Sequence, residues 1–207
     1  MKKNKKRAYP FLETSNEEWD YFASKFTYAE FPKGSAMLNH GATENHLTFL
    51  EEGLTRSFLP NDDREKTLRF TFPGNFVSSY TSFILQKPSE IAIETLSDCK
   101  CWRITYDDLQ DCYLQIEKGN RMGRISAEYL YITSSSREIN MLVKSPEQQY
   151  LELLESSPEW FQHIPLKHVA SYLGITPQAL SRIRARIFNS SSLLIVGFKS
   201  KFALLRK

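Results

Sequence analysis

Ile164-Pro165-Leu166-Lys167-His168-Val169-Ala170-Ser171-Tyr172-Leu173-Gly174-Ile175-Thr176-Pro177-Gln178-Ala179-Leu180-Ser181-Arg182-Ile183-Arg184-Ala185-Arg186-Ile187 is the segment from which the rest of the chain is best understood. Leu166, Val169, Ala170 and Leu173 recur at helical intervals and define a short first helix with one apolar face. Gly174 falls where a sharp turn needs a positive φ, which a side chain would penalise. Thr176-Pro177 then reads as an N-cap followed by proline at the first helical position. The second helix sets Leu180, Ile183 and Ile187 on one face and Gln178, Ser181, Arg182 and Arg186 on the other. Two short helices about a glycine turn, with Ala170 small enough for a close crossing, predict a helix-turn-helix.

Charge sharpens that expectation. The net charge is only +3, but residues 8 to 144 carry 14 basic against 20 acidic side chains, whereas residues 145 to 207 carry 8 against 4. The last acid is Glu159; Lys167, Arg182, Arg184, Arg186, Lys199, Lys201, Arg206 and Lys207 follow it without a counter-charge. An acidic body joined to an acid-free basic end suggests that this end meets a polyanion, the plainer alternative being a solvated basic tail. A helix fits the DNA major groove, where arginine can bond guanine and glutamine can bond adenine, each worth roughly 1–3 kcal/mol of discrimination. The remaining cations, Lys167 and Arg186 among them, would hold phosphates through a salt-sensitive, sequence-blind attraction.

Upstream, Met122, Ile125, Tyr129, Ile132, Ser136, Ile139 and Val143 step by three and four residues, a heptad seam broken only by Ser136. A helix packed on its own domain usually shows a wider apolar stripe, so the narrow seam predicts pairing with a second copy of the chain. Ser145-Pro146-Glu147-Gln148 has the spacing of a capping box with proline at the first helical position. Tyr150, Leu151 and Leu154 give the next helix its apolar face, and Ser156-Ser157-Pro158 ends it.

Nearer the start, Ser15-Asn16-Glu17-Glu18 is a second capping box, with Trp19, Phe22 and Phe26 following at helical intervals. From Tyr28 to about Tyr106 the texture changes to short apolar pieces, among them Leu47–Leu50, Thr55–Leu59, Thr67–Phe72 and Ile91–Leu96. Turn signals at Pro32-Lys33-Gly34, Asn39-His40-Gly41, Glu52-Gly53, Pro60-Asn61-Asp62-Asp63, Pro73-Gly74-Asn75 and Lys87-Pro88-Ser89 divide them. That spacing predicts an antiparallel barrel or jelly roll of about eight strands. Asp107 to Gln115 reads as a short helix, interrupted near Gly119-Asn120. The expected fold is therefore α+β, in three parts. Residues 1–118 hold an N-terminal helix and an effector-sensing β-barrel, 119–144 a dimerisation helix, and 145–207 a winged helix-turn-helix.

Glycine-punctuated barrel (Gly34, Gly41, Gly53, Gly74), heptad helix and helix-turn-helix together resemble the Crp/Fnr family of bacterial transcription regulators over nearly the whole length. The resemblance implies a homodimer on a near-palindromic site, with double-stranded promoter DNA and RNA polymerase as partners and recognition helices about 34 Å apart. It places Thr176, Pro177, Gln178 and Arg182 where family members contact DNA, with Ser181 between them on the same face. In the cyclic-nucleotide-binding members a phosphate cassette follows the Pro-Gly turn, reading Phe-Gly-Glu and later Arg-Ser/Thr-Ala. Beyond Phe76 this chain offers Val77-Ser78-Ser79, with Ser79 at the glutamate position, and later Ser89 at the arginine position and Glu90 at the hydroxyl position. A phosphodiester needs a cation and donors, so this degenerate cassette predicts no binding of cyclic AMP or cyclic GMP. Any effector is a different molecule, of unknown identity, or there is none. Leu193–Val196, Gly197–Ser200 and Phe202–Leu205 are the candidates for a hairpin wing.

Other classes fit less well. No apolar run approaches the roughly 18 residues that span a bilayer, so no membrane role is expected, and the basic start leads into acids rather than a signal peptide. Cys99, Cys101 and Cys112 form no even disulfide framework, which fits a reducing cytoplasm. An iron–sulfur cluster needs four thiolates, so none is expected. Cys99 and Cys101 alternate onto one strand face as buried residues. His40, His46, His163 and His168 show no HxH pair and read as surface or capping residues; no metal or other cofactor is expected. No phosphate loop, nucleophile elbow or catalytic carboxylate pair stands out, Glu51-Glu52 and Asp62-Asp63 reading as solvated turns, so an enzyme is not expected. The alternative is a ligand-binding barrel module whose basic end contacts RNA or a protein partner.

Overall fold

The computed structural model describes residues 1–4, 15–61 and 64–190. The expected wing at Leu193–Leu205, the cations beyond Arg186, the basic Lys5-Lys6-Arg7 and the Asp62-Asp63 turn lie outside the described residues. The chain divides into two compact units, Met1–Thr133 and Ser134–Lys207.

In the first unit, helix α1 (Asn16–Ser24) begins at the predicted capping box: the Glu18 N–H donates to Ser15 Oγ (3.1 Å) and the Ser15 N–H donates to Glu18 Oε2 (2.9 Å). Eight strands follow: β1 (Thr27–Phe31), β2 (Ala36–Leu38), β3 (His46–Glu52), β4 (Thr55–Leu59), β5 (Lys66–Thr71), β6 (Phe76–Val77), β7 (Ala92–Thr95) and β8 (Cys99–Thr105). They pair antiparallel into two four-stranded sheets, in the orders β1-β8-β3-β6 and β2-β7-β4-β5. The sheets do not close into a barrel, which corrects that half of the sequence expectation. Register irregularities in β2, β3 and β4 bend the strands, β1, β6, β2 and β5 remain as edges, and the two sheets face each other instead. Leu38 and Ile93 of one sheet meet Val77 of the other, while Leu50, Cys99 and Cys101 pack with Met37.

The opposite face of the first sheet carries the helices. Phe49 and Ile104 pack against Trp19 and Phe22 of α1, Phe83 of α2 (Tyr80–Leu85), Leu109 and Cys112 of α3 (Tyr106–Gln115), and Met122 of α4 (Gly119–Val143). Helix α4 is continuous from Gly119, so the glycine marks its start. Glu51 is not a solvated turn residue: it is buried at the end of β3, where Asn4 Nδ2 and Trp102 Nε1 donate to its carboxylate, each at 3.0 Å. Those donors lie 47 and 51 residues away, which is why the local pattern misled.

The second unit holds residues 134–143 of α4, then α5 (Pro146–Ser156), α6 (Trp160–His163), α7 (Leu166–Tyr172) and α8 (Pro177–Ser190). Helix α5 opens at the predicted box, with the Gln148 N–H donating to Ser145 Oγ (3.3 Å) and the Ser145 N–H to Gln148 Oε1 (2.8 Å). Tyr150 and Leu154 are buried on its inner face, but Leu151 is exposed. His168 is buried within α7 rather than at the surface.

Candidate functional site

Three groups of residues carry the expected function. In the first, α7 ends in a Schellman turn: Gly174 has φ +70°, its N–H donates to Ser171 O (3.2 Å), and the Ile175 N–H donates to Ala170 O (3.0 Å). The Ala179 N–H donates to Thr176 Oγ1 (3.0 Å), so Thr176 caps α8 with Pro177 next in line. Leu180, Ile183 and Ile187 of α8 are buried, as are Val169 and Ala170 of α7 and Leu173 just after it. Pro177, Gln178, Ser181, Arg182 and Arg186 are exposed on its outer side, and Lys167 is exposed on α7.

The arginines of α8 differ in their surroundings. Arg182 stands on the exposed face. Arg184, half-buried, lies against the buried Tyr150 hydroxyl; burial pushes that phenol up while Arg184 pulls it back. Arg186 pairs with Glu147 of α5, Nη1 to Oε2 at 2.7 Å. That carboxylate partner is one the spacing along α8 could not reveal.

The second group is the cassette. Ser79 and Ser89 are both buried and come together, Oγ to Oγ at 2.7 Å; Ser89 Oγ also lies 2.8 Å from Ile91 O. Phe76 turns away onto Phe49 in the helix-side core, and Glu90 is exposed. The carboxylate that stands beside the serines is Glu44, which sequence reasoning missed. It is buried in the loop before β3, where the His46 N–H donates to Oε1 (3.1 Å) and the Ser79 N–H donates to Oε2 (3.5 Å). The Glu44 N–H donates to Ser82 Oγ (3.0 Å), and Ser82 in turn donates to Lys87 O. Burial pushes the Glu44 carboxyl above the usual carboxylate range, against the pull of the His46 and Ser79 amides and the Arg103 guanidinium. The Ser79 amide thus already has a carboxylate partner within the fold.

The third group is the seam. Met122 is buried and Ile125 packs partly against the core of the first unit. Tyr129, Ile132, Ile139 and Val143 are between 56% and 75% exposed in the single chain, and Ser136 is exposed between them. Tyr131, Met141 and Leu142 are exposed on the same helix.

No helix among the described residues is long and apolar enough to cross a membrane, and no described cluster of three His, Cys, Asp or Glu side chains could hold a metal ion. All three thiols are buried, which pushes Cys101 and Cys112 up to about 11 and raises Cys99 as well.

Residues 28–115 match the cyclic nucleotide-binding domain. The sheets and the elements around them have that fold. No curated protein sequence matches the chain. Among solved structures, a putative transcriptional regulator of the Crp/Fnr family from Eubacterium rectale is similar at a TM-score of 0.68 and 17% identity, covering 96% of this chain and 97% of that one. The c-di-GMP responsive global regulator CLP of Xanthomonas campestris is similar at 0.67 and 17% identity, covering 88% of this chain and 96% of that one. The catabolite activator protein of Thermus thermophilus is similar at 0.55 and 16% identity, covering 89% of this chain and 88% of that one. One of these neighbours is described as a Crp/Fnr-family regulator, and at 16–17% identity the likeness of all three to this chain is one of fold.

Proposed function

We propose that the chain is a sequence-specific DNA-binding transcription regulator of the Crp/Fnr type, acting in the cytoplasm as a homodimer paired through the α4 seam and not responsive to cyclic AMP. One observation carries this reading: α8 is capped by Thr176, held down by Leu180, Ile183 and Ile187, and presents Gln178, Ser181 and Arg182 outward in a stretch free of acids. A rod with one anchored apolar side and one neutral or cationic side is what the major groove accepts. Arg186 reaches a phosphate by leaving Glu147, and an exposed ion pair of that kind costs at most about 1 kcal/mol to open. An effector bound to the sheets acts only by favouring the arrangement of recognition helices that matches the half-sites.

The test is an electrophoretic shift against promoter fragments at several salt concentrations. Sequence-specific binding with a steep negative salt slope is expected; binding to RNA in preference to duplex DNA, or to neither, overturns the reading. Arg182→Ala is expected to cost roughly 1–3 kcal/mol at one base position and to relax preference there. A uniform loss across all sequences reassigns Arg182 to a phosphate.

Cyclic AMP faces a cassette without the arginine and with Glu44 on the Ser79 amide, so a calorimetric titration of the full chain is expected to stay flat through the micromolar range. Micromolar affinity overturns the assignment of Ser79, Ser89 and Glu90 as a degenerate cassette.

A further inference from the structure

We infer that Arg137 is a positioning residue for DNA recognition, a clamp that ties the C-terminal half of the seam to the exit end of α7; this rests on the DNA-binding reading above. Arg137 lies on α4 directly after Ser136 and two residues before Ile139, all within the second unit. Its Nη2 donates to Tyr172 O (3.1 Å), and its guanidinium lies 3.7 Å from the centroid of the Tyr172 ring. Tyr172 is the last residue of α7, so this carbonyl is among those that the helix cannot satisfy internally, and a cation is the favoured partner there. Trp160 also packs on that ring in an edge contact, with centroids 5.0 Å apart and planes at 77°.

The stack holds two features at once. A planar guanidinium both covers a ring and bonds the carbonyl of the same residue, which an ammonium on a flexible stem does not reproduce. Immediately after Tyr172 come the Schellman turn and α8, so whatever fixes the end of α7 also fixes the direction of α8. The corner between α4 and α5 is braced too: Gln149 Nε2 donates to Lys144 O (3.0 Å), and Lys144 pairs with Glu152 at 2.8 Å. Arg137 therefore ties α4 beside Ser136 and Ile139 to the end of α7, from which the turn leads into the helix that reads bases. In a paired molecule, that connection sets how much the separation of the two α8 helices can vary.

Spacing discrimination reads this directly. The full chain selects a duplex from a random pool, and affinity is then compared for that duplex and for versions with one base pair inserted or removed at its centre. Arg137→Lys keeps the charge and most of the stem but loses the stack. It is expected to reduce the preference for the native spacing roughly tenfold, a change of one decade in the ratio of affinities. Arg137→Ala and Tyr172→Leu are expected to do the same, with melting temperature and dimer mass kept by Arg137→Lys. Arg124→Ala removes an equal charge from the same helix and is expected to leave the ratio unchanged. A wild-type chain that selects no duplex overturns the regulator reading itself. A wild-type chain that selects one, while Arg137→Lys retains the full spacing preference, overturns the clamp alone.

Discussion

On the proposed pairing through α4, Ile132→Asp is expected to leave a monomer. Ile132 occupies the middle of the seam, is 62% exposed in the single chain, and sits one heptad before Ile139. The proposed pairing of two copies would bury that side chain against its counterpart, so the substitution would place two carboxylates in an apolar seam without partners. Each costs about 3 kcal/mol or more, whether paid as desolvation or as forced protonation. Two such charges weaken the dimer by about ten-thousand-fold. Sedimentation at micromolar concentration is expected to show the monomer mass with an intact fold, because an exposed helical position tolerates aspartate in the isolated chain. DNA affinity falls with it, since one recognition helix then binds alone. An unchanged dimer mass removes the seam from the mechanism.

Gly53→Ala is expected to be the most damaging single-methyl change in the first unit. Gly53 has φ +100°, a conformation that penalises any side chain. A Cβ there would also run into Asp98 O and lie 2.6 Å from Cys99 Sγ and 2.8 Å from Cys99 Cα. The obstacle is mostly backbone at the start of β8, which cannot swing aside as a surface side chain would. Strain and overlap together cost about 3 kcal/mol or more, lowering the melting temperature by roughly 10 °C for a unit of this size. Gly174→Ala makes the contrast: φ is also positive, but a Cβ there meets nothing within 4 Å, so only the conformational penalty of about 1 kcal/mol applies. Equal losses at the two positions, measured by thermal unfolding, contradict the close approach at Gly53.

Where folding is decided within a few residues, the sequence was a good guide. Both capping boxes, the positive φ of Gly174 and the alternation of Cys99 and Cys101 in β8 depend on neighbours at most five positions away, and each stands as its spacing implies. The outward placement of Gln178, Ser181 and Arg182 follows from helical periodicity once Leu180 and Ile183 are buried. Contacts made across the fold were not legible. Glu44 reaches Ser79 over 35 residues, Arg137 reaches Tyr172 over 35, and Arg186 reaches Glu147 over 39. Helix α2 escaped notice for another reason: it has six residues, no side-chain cap at Ser79, and ends at Gln86 with φ +50°, where glycine would have been the usual signal. Closure of the sheets failed for a related one, because periodicity predicts strands but not which edges meet.

The buried thiols of the first unit give its molecules a built-in clock. Protonated and shielded, Cys99, Cys101 and Cys112 are poor nucleophiles while the sheets and helices stay together. A maleimide dye therefore reacts only with molecules that have opened, and its rate of incorporation counts openings without any engineered label.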